Sequence, residues 1–308
     1  MEQMRKELHA AMYAAAIRRN PPLLGSRMIP CMVDMVRLDT CFLPKEALKP
    51  ENYDLTRQML QYQYQMNVPL CVINTGAQTM QEKTAGFHTI CDRSDLRLKG
   101  KIGSDQTAEW KPIDKSAFPS LANFVNATLC RRYGFFIIRS TAYYEELQKR
   151  LEEKGGGLYK ITQSGELAGY FAECGGFVQE AVFAEEADLE NYFDVSTEKR
   201  PYAMARIVNL PEFLKYIAGD GKITIAIRLK DEEIAQNDGL FIWYINQSGS
   251  YMERVQTEEG SGDTPSARPE LTIDIGTFTA LLFDYIKLKQ NRKFDSIYLA
   301  GPAWIRES

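Results

Sequence analysis

Ala203-Met204-Ala205-Arg206-Ile207-Val208-Asn209-Leu210-Pro211 is the stretch on which the reading of the fold turns. Its apolar run predicts a strand. Pro211 predicts that the strand passes directly into a helix, because proline fits the first helical turn, where its missing N–H costs nothing. Downstream, strands recur at Ile223 to Leu229, Gly239 to Ile245 and Tyr251 to Val255. Glu258 to Pro269 is rich in Gly, Ser, Thr and Pro and reads as a loop. Leu271 to Ile275 reads as a strand, and Phe278 to Ile286 as a helix with an apolar face. The chain from residue 201 onward is therefore an α+β module without a catalytic signature of its own.

Working backwards, Glu185 to Asp194 is acidic and suits a connector or a short solvated helix. Before it, Leu158 to Thr162 and Leu167 to Phe171 flank Gln163-Ser164-Gly165-Glu166, a hairpin signal. Two helices precede the hairpin. One starts near Pro119, with Leu121, Phe124, Val125 and Leu129 on one face; the other points Tyr144, Leu147 and Leu151 inward and spaces Glu146 and Arg150 as an i,i+4 pair. Phe135 to Ile138, between them, is β-prone. Gly155-Gly156-Gly157 follows the second helix rather than opening one, so it reads as a C-cap and not as a phosphate cradle. A polar stretch from Leu98 to Thr107 separates this middle segment from the first.

The first segment is an α/β unit. Residues 1–20 have helical spacing, and Met28 to Leu43 suits a strand or a pair of strands. Lys45 to Tyr53 is a loop containing Pro50. Asp54 is expected to cap a helix whose stripe is Leu55, Met59, Tyr62 and Met66, ended by Asn67-Val68-Pro69. Leu70-Cys71-Val72-Ile73 is a short buried strand, and Asn74-Thr75-Gly76 a turn.

Composition excludes several function classes. The 308 residues suit about two domains, and at 44% hydrophobic and 25% charged they can build sizeable cores. A net charge of −4 without basic blocks argues against nucleic-acid binding. No apolar run nears the roughly 18 residues of a membrane span, and the start is not a secretory signal, so the expectation is a cytoplasmic protein. The six cysteines form no C-x-x-C pair and read as reduced, mostly buried small hydrophobes. With only His9 and His88, a multi-histidine zinc site is ruled out, no metal is expected, and neither histidine has a G-x-S-x-G partner for a triad.

Three phrases together carry a family resemblance. Ala203 to Leu210, with its helix and meander, resembles the opening of a sterol-carrier-like domain. Tyr133-Gly134-Phe135-Phe136-Ile137-Ile138-Arg139 through Tyr143-Tyr144, with the Gly165 hairpin ending Gly169-Tyr170-Phe171, resembles a middle acetyltransferase-like lobe. Tyr53 to Ile90, with Val68-Pro69-Leu70 and Gly86-Phe87, resembles the back half of a first lobe. The set resembles the Eis-like branch of the GNAT N-acetyltransferases. The resemblance implies an α/β (α+β) fold of GNAT-like mixed sheets flanked by helices, followed by a sterol-carrier-like domain. It divides the chain into a short first lobe (1–105), a second lobe (106–200) and a C-terminal domain (201–308).

The resemblance further implies transfer of an acetyl group from acetyl-CoA to a small-molecule or peptide amine, in a chain that forms a homo-oligomer. By likeness, Leu38, Thr40, Lys45, Lys49, Asn52, Tyr53 and Asp54 would hold the cofactor, and the terminal carboxylate, on Ser308, would act as base. Departures from the family pattern keep other readings open. The loop Leu48-Lys49-Pro50-Glu51-Asn52-Tyr53 has no glycine, and Glu82 and Phe87 stand where hydroxyl-bearing aromatics are usual. An alternative register makes Met1 to Arg18 the pyrophosphate helix. A fold retained for binding without chemistry, and a carrier of an apolar ligand, are the competing functions.

Overall fold

The computed structural model describes residues 40–43, 47, 50–74, 85–99, 109–132, 136, 138–185, 189–255, 269–287 and 297–299. The expected helix over 1–20, the front of the strand region before residue 40, the end of the turn at 75–76 and the loop over 258–268 lie outside them.

The front α/β unit is present. Strand β1 (Thr40–Leu43) and strand β2 (Leu70–Asn74) pair in parallel, from Thr40↔Leu70 to Leu43↔Ile73. Helix α1 (Tyr53–Gln65) makes the crossover that a parallel pair requires. A 3-10 turn at Pro50–Asn52 leads into it, so Asn52 rather than Asp54 stands at the cap, and Asp54 is exposed in the first turn. The helix is also rotated from the expected stripe. It buries Thr56, Met59, Leu60 and Gln63, while Tyr62 and Met66 are 47% and 59% exposed. Two polar residues are buried because each finds a partner. The Thr56 hydroxyl donates to the Ala47 carbonyl at 2.6 Å, and Gln63 Nε2 donates to Cys41 Sγ at 3.0 Å. A hydrogen-bonded polar group can enter a core at little cost, which counting apolar positions does not register.

Strand β3 (His88–Leu98) follows, then the middle segment: β4 (Glu109–Pro112), α2 (Phe118–Arg132), α3 (Thr141–Glu152), β5 (Gly157–Gln163), β6 (Glu166–Cys174) and β7 (Phe177–Phe183). Both helices pack on one face of the strands through Phe118, Leu121, Val125, Leu129, Tyr144, Leu147 and Leu151, against Leu158, Tyr170 and Val182. Ser140 caps α3 by accepting from the Tyr143 N–H at 3.2 Å. The helix ends as the glycines foretold. Gly155 adopts φ 74°, the Gly156 N–H donates to the Leu151 carbonyl at 2.8 Å, and the Gly155 N–H donates to the Glu152 carbonyl at 3.0 Å. In the hairpin turn Ser164 and Gly165 take φ of 52° and 84°, as a two-residue turn that follows the strand twist demands. Phe136 and Ile138 are not in a strand, contrary to their β-prone composition.

Among its described residues the acidic connector holds one helical turn, α4 (Leu189–Tyr192), which leads into β8 (Phe193–Ile207). Tyr192 and Phe193 are buried at this junction rather than solvated. The β8 strand organises the molecule. It pairs antiparallel with β2 (Leu70↔Ile207 to Asn74↔Ala203) and with β3 (His88↔Ala205 to Leu98↔Phe193), so the position between residues 200 and 201 lies inside a strand. One eight-stranded sheet results, ordered β1-β2-β8-β3-β7-β6-β5-β4.

The strand-to-helix passage at Pro211 is realised. Helix α5 (Leu210–Leu214) starts at Asn209, whose side chain accepts from the Glu212 N–H at 3.2 Å. Then come β9 (Ile217–Gly219), β10 (Ile223–Lys230), β11 (Gly239–Asn246), β12 (Gly249–Arg254), β13 (Leu271–Asp274), α6 (Ile275–Leu282) and β14 (Ile297–Leu299). A second sheet is ordered β12-β11-β10-β13, and β14 pairs with β9. Helix α6 starts earlier than its apolar face suggested, because Asp274 accepts from the Thr277 N–H at 2.9 Å and caps it there. Ile225, Ile227, Leu229, Trp243 and Phe278 of this part share one core with Leu70, Val72, Ile90, Ala205 and Ile207 of the first.

Candidate functional site

The connection from β1 into α1 is where an open α/β arrangement exposes its strand ends and a helix start to a ligand. Tyr53, the first residue of α1, and Arg57, one turn on, lie on one side of the helix. Both reach a carboxylate from the C-terminal part of the chain, Glu233. The Tyr53 hydroxyl donates to Glu233 Oε1, and Arg57 Nε donates to Glu233 Oε2 at 2.6 Å. The guanidinium also lies over the Tyr53 ring, 5.4 Å from its centroid. The Glu233 side chain is 3% exposed and that of Arg57 45%. Burial pushes the Glu233 carboxyl up, but Arg57 and Tyr53 stabilise the anion and hold it below the ordinary carboxylate range. The Tyr53 phenol is pushed up, first by its hydrogen bond to Glu233 and then by burial.

A buried charge pair fixes the turn that carries Glu233. Arg206, the one cation in the Ala203 to Leu210 run, is fully buried and donates through Nη2 to both oxygens of Asp231, each at 2.6 Å. Arg206 Nη1 donates to the Ala85 carbonyl, which ties the chain just before Gly86 to the same centre. Asp231 in turn accepts the backbone N–H groups of Glu233 (3.0 Å) and Ile234 (3.1 Å) and the side-chain amide of Asn237 (3.0 Å). Asn237 also donates to the Val208 carbonyl at 2.9 Å, and Ile234 packs in the core around α1. The turn after β10 is thus held from several sides independently of the Glu233 carboxylate.

A second buried polar cluster lies between α3 and the strands β6 and β7. Arg139 Nε and Nη2 donate to the two oxygens of Glu180, each at 3.1 Å, and the Tyr143 and Tyr170 hydroxyls donate to the same carboxylate. Asn126 brackets the Arg139 backbone with two bonds of 2.8 Å. Burial would push the Glu180 carboxyl up, but Arg139 and the two phenols outweigh it and hold the group low. The phenols themselves are driven up by burial and by that negative charge. With both carboxylate oxygens engaged inside the protein, this cluster fastens α3 to β6 and β7.

Of the residues expected to hold cofactor, Asn52, Tyr53 and Asp54 come together at the start of α1. Thr40 opens β1, opposite Leu70, at the far end of that strand. Leu38, Lys45, Lys49 and Ser308 lie outside the described residues, as does Glu82. Phe87 is fully buried in the core around α1. Arg57, Glu233, Asp231 and the Arg139–Glu180 cluster were not anticipated. Arg206 carried a signal, since a lone charge inside an apolar run must find a buried partner. Asp231 and Glu233 carried none, because they sit in an ordinary polar turn. Among the described residues no group of three or more His, Cys, Asp or Glu could hold a metal, and no helix is long and apolar enough to cross a membrane.

No family model and no curated protein matches the chain. Solved structures do resemble it. A GCN5-related N-acetyltransferase from Anabaena variabilis superposes with a TM-score of 0.59 at 14% identity, over 85% of this chain and 77% of that one. A conserved protein of unknown function from Enterococcus faecalis, described as a probable N-acyltransferase, gives 0.60 at 16%, over 82% and 73%. Eis1 from Mycobacterium abscessus gives 0.58 at 9%, over 97% and 92%. At such identities the likeness carries the fold alone: a mixed α+β, GNAT-like architecture.

Proposed function

We propose that this chain is a GNAT-type N-acetyltransferase that moves an acetyl group from acetyl-CoA to a small-molecule or peptide amine. The observation that carries the reading is the parallel β1–β2 pair with α1 as its crossover, set in a fold shared with the acetyltransferase structures above. A helix start at the end of a parallel strand favours anions through its free N–H groups and dipole. Tyr53 and Arg57 add a phenol and a guanidinium, the donor types that suit phosphate oxygens. Tyr53 and Arg57, with the Asn52 amide beside them, would therefore suit the phosphate part of such a cofactor, while Asp54 in the same turn is an exposed carboxylate that offers a phosphate nothing. When bound, acetyl-CoA supplies an activated acyl group as its thioester. The residues from 201 onward are read as the sterol-carrier-like module, whose turn at Asp231 to Asn237 braces this end of α1.

Glu233 supports a second reading. A carboxylate on Tyr53 and Arg57 repels a phosphate, and that suits a fold kept for binding without acetyl transfer. Calorimetric titration with acetyl-CoA separates the two. A transferase binds it and is stabilised by about 2.7 kcal/mol when free ligand reaches a hundred times Kd. Absence of binding at millimolar acetyl-CoA would overturn the enzyme reading.

A further inference from the structure

We propose that Tyr53 and Arg57 form an oxyanion receptor for a phosphate or phosphoanhydride group, and that Glu233 is an internal anion which fills it until such a ligand arrives. The inference rests on the reading of this end of α1 as the phosphate end of the site, and adds to it a competitor from a different part of the chain.

The chemistry of the grip comes first. A phenol O–H and a guanidinium N–H converge on two oxygens of one anion, an arrangement that accepts a phosphate as readily as a carboxylate. The receptor is reachable, since the Arg57 side chain is 45% exposed although the bound carboxylate is 3% exposed. A pyrophosphate carries more charge than a single carboxylate and can displace it at a grip that solvent already enters.

The turn is built to survive the displacement. Its backbone is held by Asp231, which accepts from Glu233 N and Ile234 N, and by Asn237, which reaches Val208. Ile234 is buried beside Met59 and Leu60. None of these contacts uses the Glu233 carboxylate, so that side chain can swing away while the turn stays in place. The Arg206–Asp231 pair behind it supplies the rigid backing.

The test titrates inorganic pyrophosphate into the full chain by calorimetry. Glu233→Gln keeps the shape of the side chain and removes its charge. It is expected to bind pyrophosphate about tenfold more tightly than the native chain, because a neutral amide competes for Arg57 and Tyr53 less well than a carboxylate does, by roughly the difference between a charge-assisted and a neutral hydrogen bond. Adding Arg57→Ala to that variant is expected to abolish the gain, and Arg57→Ala alone to abolish the weaker native binding. Equal pyrophosphate affinity in native and Glu233→Gln chains, or binding that survives the loss of Arg57, would overturn the proposal. A parallel titration with acetyl-CoA keeps the two readings apart. Tightened pyrophosphate binding without any preference for acetyl-CoA upholds the receptor and removes the acetyltransferase. Firm acetyl-CoA binding indifferent to Glu233 and Arg57 does the reverse.

Discussion

Glu180 shows how a single buried carboxylate can be made an asset. It is held by Arg139, Tyr143 and Tyr170, and its carboxyl lies below the ordinary value of 4.5. A group whose folded pKa is depressed stabilises the fold fully above its unfolded pKa and loses that contribution as pH falls through the folded value. Urea unfolding followed across pH should therefore show stability falling below about pH 4.5. Glu180→Gln should lose about 3–5 kcal/mol near neutral pH, because Arg139 is left buried without its countercharge, and should flatten that acid limb. A variant as stable as the native chain at neutral pH would mean that the cluster contributes nothing net. Individual residues such as Glu180 and Glu233 were silent in the sequence. Nothing in Val178-Gln179-Glu180-Ala181 reveals a buried acid, since the partners of Glu180 lie 10, 37 and 41 positions away. Those of Glu233 lie 176 and 180 positions away.

At the scale of elements, local chemistry was largely readable. The Gly155 cap, the Ser164-Gly165 turn, the Asn209-Pro211 helix start and the β10 to β12 meander all follow from residues close in sequence. What failed was rotation: the expected stripe of α1 missed Thr56, Leu60 and Gln63, of which the two polar ones are buried through partners outside the helix. Helix α6 supplies a testable contact of the same kind. A Cβ on Gly276 would stand 2.8 Å from the Gly86 carbonyl oxygen, a backbone atom with no rotamer to escape into. Gly276→Ala should therefore cost about 1–3 kcal/mol through overpacking, despite alanine's better helix propensity. A thermal melt showing an unchanged or raised Tm would contradict that close approach.

Across the whole molecule, β8 and the Arg206–Asp231 pair join the first and last parts of the chain. The strand lies between β2 and β3, and its end runs into α5 and a core shared with β10, β11 and α6. Asp231 connects that strand to the turn that carries Glu233 and so to α1. Asp231→Ala should lower the stability of the front and rear parts together, by about 3–5 kcal/mol, since Arg206 would remain buried and uncompensated. Calorimetry should register this as a shift of a shared transition. A variant in which the residues from 201 onward melt separately, with the front part unaffected, would refute the coupling.

By itself the sequence left β3, β7 and most of β8 unmarked, but it determined much of the punctuation: where glycine, proline and capping side chains stop the elements, the Ser164-Gly165 hairpin turn and the β10 to β12 meander. Those features depend on neighbours within a few residues, where propensity and hydrogen-bonding geometry act directly. Only the tertiary structure decided which charges are buried against one another, how α1 is rotated, and that Glu233 occupies the grip of Tyr53 and Arg57. Each of these depends on pairing between groups far apart along the chain, and the energy of a buried charge is set by the partner it meets in space rather than by the residues beside it.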